Sequence, residues 1–252
     1  MIPPIALQLY TLRDSLAQDF AGTMQKVASM GFAGVETAFF ESVSFKEAAR
    51  IIKDLNLEVL AIHCDIPVAD KEKEVFEQAE LFNCTRLVWH GWPQDADYSS
   101  IEGVKRLAKV YNQANDIAHA NGFSFGIHNH WWEFERVEGA FPYQILDAEM
   151  DEHIFWEVDT YWVKVAGLDP AKVVLELTDR AELLHLKDGP GINHVPKLAA
   201  GKGVMDFPAI MHAARTPDWV IVELDDCKTD MLEAVQESYT YLTKQRLAKG
   251  RV

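Results

Sequence analysis

Eight times along the chain, a short run rich in β-branched and aromatic residues is followed by a segment of helical spacing, with no break in composition from one pair to the next. The runs are IALQLY (5–10), GVETAF (34–39), EVLAIH (58–63), RLVWHG (86–91), FSFGIHN (123–129), IFWEVD (154–159), ELLHLK (182–187) and WVIVEL (219–224). Their length and composition read as strands, and the intervening apolar residues recur with the helical period. The clearest helical stretches are 19–32, 44–57, 72–83, 101–122 and 230–250. Gly31 and Gly122 fall just past helix ends, where a left-handed residue closes the last turn.

Strict alternation of strand and helix forces parallel strands with right-handed crossovers, and eight such units close into a barrel. An open doubly wound sheet would usually carry a glycine-rich phosphate loop after its first strand; LQLYTLRDSL contains no glycine. At 252 residues, the chain has the usual size of such a barrel. The expectation is a single (β/α)₈ TIM barrel domain over residues 1–252.

Hydrophobic residues make up 48% and charged residues 25% of the chain, as in ordinary globular proteins. No apolar run approaches the roughly 20 residues of a membrane span, and the first residues lack a basic secretory leader, so a cytoplasmic location without membrane partners is expected. Three cysteines with no C-x-x-C spacing encode neither a disulfide framework nor a thiolate zinc site. A formal charge of −15 opposes nucleic-acid binding, which normally gains affinity through Lys and Arg. It does not exclude a phosphorylated small molecule held in a locally positive pocket, and the GKG stretch with Lys202 reads as an anion site or as a simple turn. The run DKEKE (70–74) reads as solvated surface.

Barrel active sites form at the carboxyl ends of the strands. Those ends carry Glu36, His63, His90, His128 with His130, Asp159, His185 with Lys187, and Glu223 with Asp225, so five of the nine histidines gather on one rim. Residues two apart on a strand share a face. With the first of each pair facing the axis, His128, Asp159, His185 and Glu223 converge. Imidazole with carboxylates suits one divalent ion of the Mn²⁺, Mg²⁺, Fe²⁺, Co²⁺ or Zn²⁺ kind.

Each residue also has a plainer reading. Asp159 can cap a helix beginning at Thr160, Glu36 can accept backbone hydrogen bonds, and His63 and His90 can hold rim loops or touch substrate. Lys187 reads as an electrophile that grips a substrate oxygen rather than as a Schiff-base nucleophile. Glu157, one layer below Asp159, needs a partner if buried, and Lys187 is the candidate. Trp92, Trp131, Trp132 and Trp162 lie just past strand ends, where they either pack or stack on a sugar ring.

The segments VDTYW (158–162), LLHLKDG (183–189), GKGVMDFPAI (201–210) and VELDD (222–226), together with LQLYTLRD (7–14) and GFAGVE (31–36), resemble the signature stretches of xylose isomerase-like barrels described as sugar phosphate isomerases/epimerases, in the AP endonuclease family 2 superfamily. The resemblance implies that Asp159, His185 and Glu223 are metal ligands. Where the epimerases of that family end the fifth strand in a metal-binding Glu, this chain reads GIHNHWWEFE. By register His128 takes that place, and Glu133 is the other candidate.

The activity implied is metal-dependent isomerisation or epimerisation of a small sugar or keto-sugar, phosphorylated or not, through an enediolate. Glu223 is the candidate base, Glu133 or His128 the opposing acid, and Lys187 the electrophile; Glu36, His63, His90, His130 and Trp162 are candidate substrate contacts. Loss of the fifth-strand Glu raises the alternative of a lyase or dehydratase acting on a keto-sugar or keto-inositol. An endonuclease IV-like nuclease and a non-catalytic sugar-binding barrel are the readings from other classes. The resemblance also implies a homo-oligomer, dimer or tetramer.

Overall fold

The computed structural model describes every residue except Phe39, Glu41, Thr216 and Val252; the last residue of the run 34–39 thus lies outside the described residues. The strands are β1 (Ile5–Gln8), β2 (Gly34–Thr37), β3 (Glu58–Cys64), β4 (Arg86–Trp89), β5 (Ser124–His128), β6 (Phe155–Asp159), β7 (Ala181–Leu186) and β8 (Trp219–Val222). They form a closed parallel barrel in chain order, with β8 paired to β1. The expected (β/α)₈ TIM barrel is therefore the architecture observed.

Around it lie α1 (Arg13–Gln18), α2 (Phe20–Met30), α3 (Phe45–Asp54), α4 (Glu72–Leu81), α5 (Ile101–Ala120), α6 (Pro142–Glu149), α7 (Thr160–Val165), α8 (Pro170–Leu177), α9 (Phe207–Ala213) and α10 (Met231–Lys244). The five stretches with clear helical spacing are α2, α3, α4, α5 and α10. Asp19, Ser44, Ser100 and Asp230 each accept a hydrogen bond from the backbone N–H three residues on, which fixes where four of these begin. Helix α2 stops at Gly31, whose φ of 103° is the left-handed stop expected there.

Two apolar clusters show which way each strand faces. The larger one, between strands and helices, takes Leu7, Val35, Ile62, Leu87, Ile127, Trp156, Val158, Leu184, Leu186, Val220 and Val222. Inside the barrel sit Ala6, Ala61, Val88, Phe155, Leu183, Trp219 and Ile221. The rings of Phe155 and Trp219 fit this narrow floor because glycines face them. A Cβ at Gly126 would stand 2.3 Å from the Phe155 ring, and one at Gly34 would stand 2.7 Å from the Glu58 carbonyl and 3.1 Å from Trp219.

Two residues further along the same inward faces stand Gln8, His63, His90, Glu157, His185 and Glu223, and beyond them Asp159, Lys187 and Asp225. The pleat thus carries the apolar floor into a polar mouth. Lys187 and Glu223 lie one residue past the ends of β7 and β8.

Candidate metal centre and its cavity

The polar groups lie in two layers. In the lower one, the Glu157 Oε2 atom stands 2.6 Å from His63 Nε2, 3.0 Å from His128 Nδ1 and 3.2 Å from His185 Nε2. Glu36 Oε2 accepts from Gln8 Nε2 at 2.8 Å and lies 2.8 Å from His185 Nε2. Both carboxylates are fully buried. Burial would raise Glu157, but His185 and His63 outweigh it and hold the group well below the usual range. At Glu36, burial and the neighbouring charge of Glu157 push the carboxyl up to about 8.

In the upper layer, His128, Asp159, His185 and Glu223 each offer a ligand atom within 4.8 Å of the others. The ladder between β6 and β7 sets Asp159 directly opposite His185. His185 Nδ1 is 2.7 Å from Glu223 Oε2, and His128 Nε2 is 4.0 Å from Asp159 Oδ2. The two readings of Asp159 hold together, one on each oxygen. Its Oδ1 accepts from the backbone N–H of Tyr161 and Trp162 and starts α7. Its Oδ2 takes no backbone N–H among the described residues and meets the Lys187 ammonium at 2.9 Å.

This donor set fits a divalent ion: two carboxylates and two imidazoles, all buried, with their ligand atoms within 4.8 Å of one another. Desolvation pushes His128 down to about 3, so its ring is neutral and its lone pair is available. Burial would raise Glu223, but Lys187 and His185 hold it well below the usual range, hence ionised. Lys187 is buried with Nζ 2.9 to 3.1 Å from Asp159, Glu223 and Asp225. Burial alone would lower it; those carboxylates more than reverse the effect and keep it charged.

Above this layer opens a cavity of about 470 Å³, with His63, His128, Lys187 and Glu223 in its lining. His90, His130, Trp92, Trp131 and Trp162 form much of the wall. Trp132 is buried behind it, stacked on the His130 ring at 4.3 Å. Lys187 and Lys197 each place Nζ 4.9 Å from the centre of the Trp162 ring.

A sequence profile of xylose isomerase-like TIM barrels matches residues 24–245. The chain belongs to the xylose isomerase-like TIM barrel family. Among solved structures, one similar to it is a sugar phosphate isomerase/epimerase from Parabacteroides distasonis ATCC 8503, with TM-score 0.82 and 24% identity over 98% of this chain and all of that one (100%). Another is L-ribulose 3-epimerase, with TM-score 0.72 and 17% identity over 98% and 95% of the two chains. A third is the IOLI protein with a bound zinc atom, with TM-score 0.71 and 15% identity over 97% and 98%. No curated protein matches the chain significantly. At these identities the structural likenesses speak for the xylose isomerase-like fold.

Within that family frame, the expectations for Glu133, Glu157 and Glu36 meet a different geometry, and of the two readings of the GKG stretch the turn is the one observed. Glu133 does not join the cluster: its Oε2 accepts from the backbone N–H of His130 at 2.9 Å, which turns the carboxylate into its own loop and off the cavity wall. Glu157 does not pair with Lys187. Because Asp159 lies opposite His185, Lys187 rises one layer above Glu157, which meets three histidines instead. The GKG stretch is a filled anion nest, not an open one. The buried Asp188 carboxylate accepts from the backbone N–H of Gly189, Gly201, Gly203 and Met205, and Lys202 pairs with Glu237. Glu36 lies in the lower layer against His185, away from the cavity wall.

Lys197, Asp226, Asn193 and His194 also line the cavity and escaped sequence reasoning. They come from the segments after β7 and β8, where no periodicity marks a side chain as inward.

Proposed function

We propose that this chain is a divalent-metal-dependent isomerase or epimerase of a small, unphosphorylated sugar or keto-sugar. The observation that carries the reading is the convergence of His128, Asp159, His185 and Glu223 beneath an aromatic-walled cavity, with a charged lysine beside them. These four residues would hold the ion, which when bound grips a carbonyl and its neighbouring hydroxyl and acidifies the C–H bond between them. Glu223, ionised at the cavity edge, takes that proton. Lys187 faces the negative charge that develops on the substrate oxygens. Trp131 and Trp162 exclude water and pack against the C–H side of the sugar. His63, His90 and His130 line the wall and are the proposed partners of its hydroxyls.

A lyase reading has one observation in its favour. The group on β5 is a neutral histidine rather than a second carboxylate, so two matched acid/base groups do not face the substrate from opposite sides. Chelation followed by reconstitution tests the proposal against a panel of ketoses in D₂O. Metal-dependent deuterium uptake with an isomeric product supports isomerisation, and loss of water from the substrate supports the lyase. Glu223→Gln is expected to lower turnover by at least about 10³-fold, as loss of a base that is also a ligand would do; near-normal turnover would remove Glu223 from the mechanism.

A further inference from the structure

We infer that Glu157 is a positioning residue, whose carboxylate decides from the layer below which ring nitrogen His128 turns toward the metal. The inference rests on the metal reading above and adds a function to a residue that touches neither ion nor substrate in it. An imidazole ligand gives the lone pair of one nitrogen to a metal, so its other nitrogen carries a proton and needs an acceptor. Here the acceptors are built in. His128 Nδ1 lies 3.0 Å from Glu157 Oε2, leaving Nε2 toward Asp159. His185 Nε2 lies between Glu36 Oε2 at 2.8 Å and Glu157 Oε2 at 3.2 Å, leaving Nδ1 toward Glu223. His63 Nε2, at 2.6 Å, anchors the same Glu157 oxygen from β3.

Backbone register makes the device rigid. Glu157 is the ladder partner of His128 and stands two residues before Asp159 on one face of β6, so ligand and positioning group move as one piece. The lower group of His63, His128, Glu157 and His185 is a second cluster of ligand-type side chains. All three rings meet the same Glu157 oxygen at 2.6 to 3.2 Å, hydrogen-bond distances that leave no space for an ion between them, whereas in the upper group His128 Nε2 stands 4.0 Å from Asp159 Oδ2. The geometry therefore favours one ion above and a hydrogen-bonded layer below.

The test uses the full chain stripped of metal. Calorimetric titration with Mn²⁺ or Zn²⁺ should give one ion per wild-type chain and an affinity lower by about 10- to 100-fold in Glu157→Gln. Ring-nitrogen NMR of the metal-free protein should find the His128 proton on Nδ1 in the wild type, with that preference lost in the variant. Equal affinities with unchanged ring signals overturn the inference. So does a wild type that binds two ions where Glu157→Gln binds one, because Glu157 would then be a ligand. A wild type that binds no ion removes the metal reading itself, and the inference with it. Should Glu157→Gln not fold, Glu157→Asp, which keeps the charge but withdraws it by one methylene, reads the same affinity and the same nitrogens.

Discussion

Glu133 is buried in the loop after β5, and desolvation pushes its carboxyl from 4.5 up to about 7. Below about pH 4.5 the group is protonated in both the folded and unfolded chain and has no effect on stability. Between there and pH 7 the unfolded chain releases the proton while the folded one keeps it, so stability falls as pH rises. The full loss, on the order of 3 kcal/mol, is reached above pH 7. Glu133→Gln, which keeps an oxygen for the His130 N–H, should therefore raise the stability measured by urea unfolding at pH 8 and leave it nearly unchanged at pH 4. An identical gain at both values would show that the carboxyl is not responsible. Sequence reading named this residue as a ligand or acid because it is the nearest carboxylate to β5. Only the chain's path shows that a backbone N–H three residues back takes it first.

At the level of elements, the strands and the five longest helices were legible because period and capping residues agree, and the inward face followed from the pleat. Partnerships between layers were not legible: the same face contains Glu157 and Lys187, and only the register of β6 against β7 separates them. The segment between β7 and α9 was opaque for a different reason. Its order comes from one carboxylate, Asp188, which gathers backbone N–H groups from 189 to 205 and so holds the loop that brings Asn193, His194 and Lys197 to the cavity. Asp188→Ala would orphan these donors, of which those of Gly189 and Met205 are buried. A loss on the order of 3 kcal/mol in thermal or urea unfolding is expected, together with a raised KM from a loosened wall. A fully stable variant with unaltered KM would mean that the loop is held by something else.

For the molecule as a whole, the barrel separates an apolar floor from a polar mouth, and charge at that mouth is close to balance. Glu223, Asp225 and Asp226 line the cavity, with Asp159 just beneath, against Lys187 and Lys197. On the proposed metal reading, one divalent ion would supply the two remaining positive charges, leaving no excess for a phosphate. With the GKG nest already filled by Asp188, any ketose the enzyme turns over should have a higher kcat/KM than its phosphate ester, by about tenfold or more, for which a like-charge penalty of roughly 1.4 kcal/mol suffices. A phosphate ester that is the better substrate would reverse this assignment.

The shared duty of Asp159 has a practical consequence for anyone altering this barrel. One of its oxygens opens the short helix that carries Trp162, and the other reaches inward among the histidines. An alanine there would erase two functions in one stroke, and any defect would be uninterpretable; an asparagine keeps an oxygen for the helix and withdraws only the charge. Wall and floor of the pocket are hinged on a single side chain, so whatever fills the centre also steadies the indole above it.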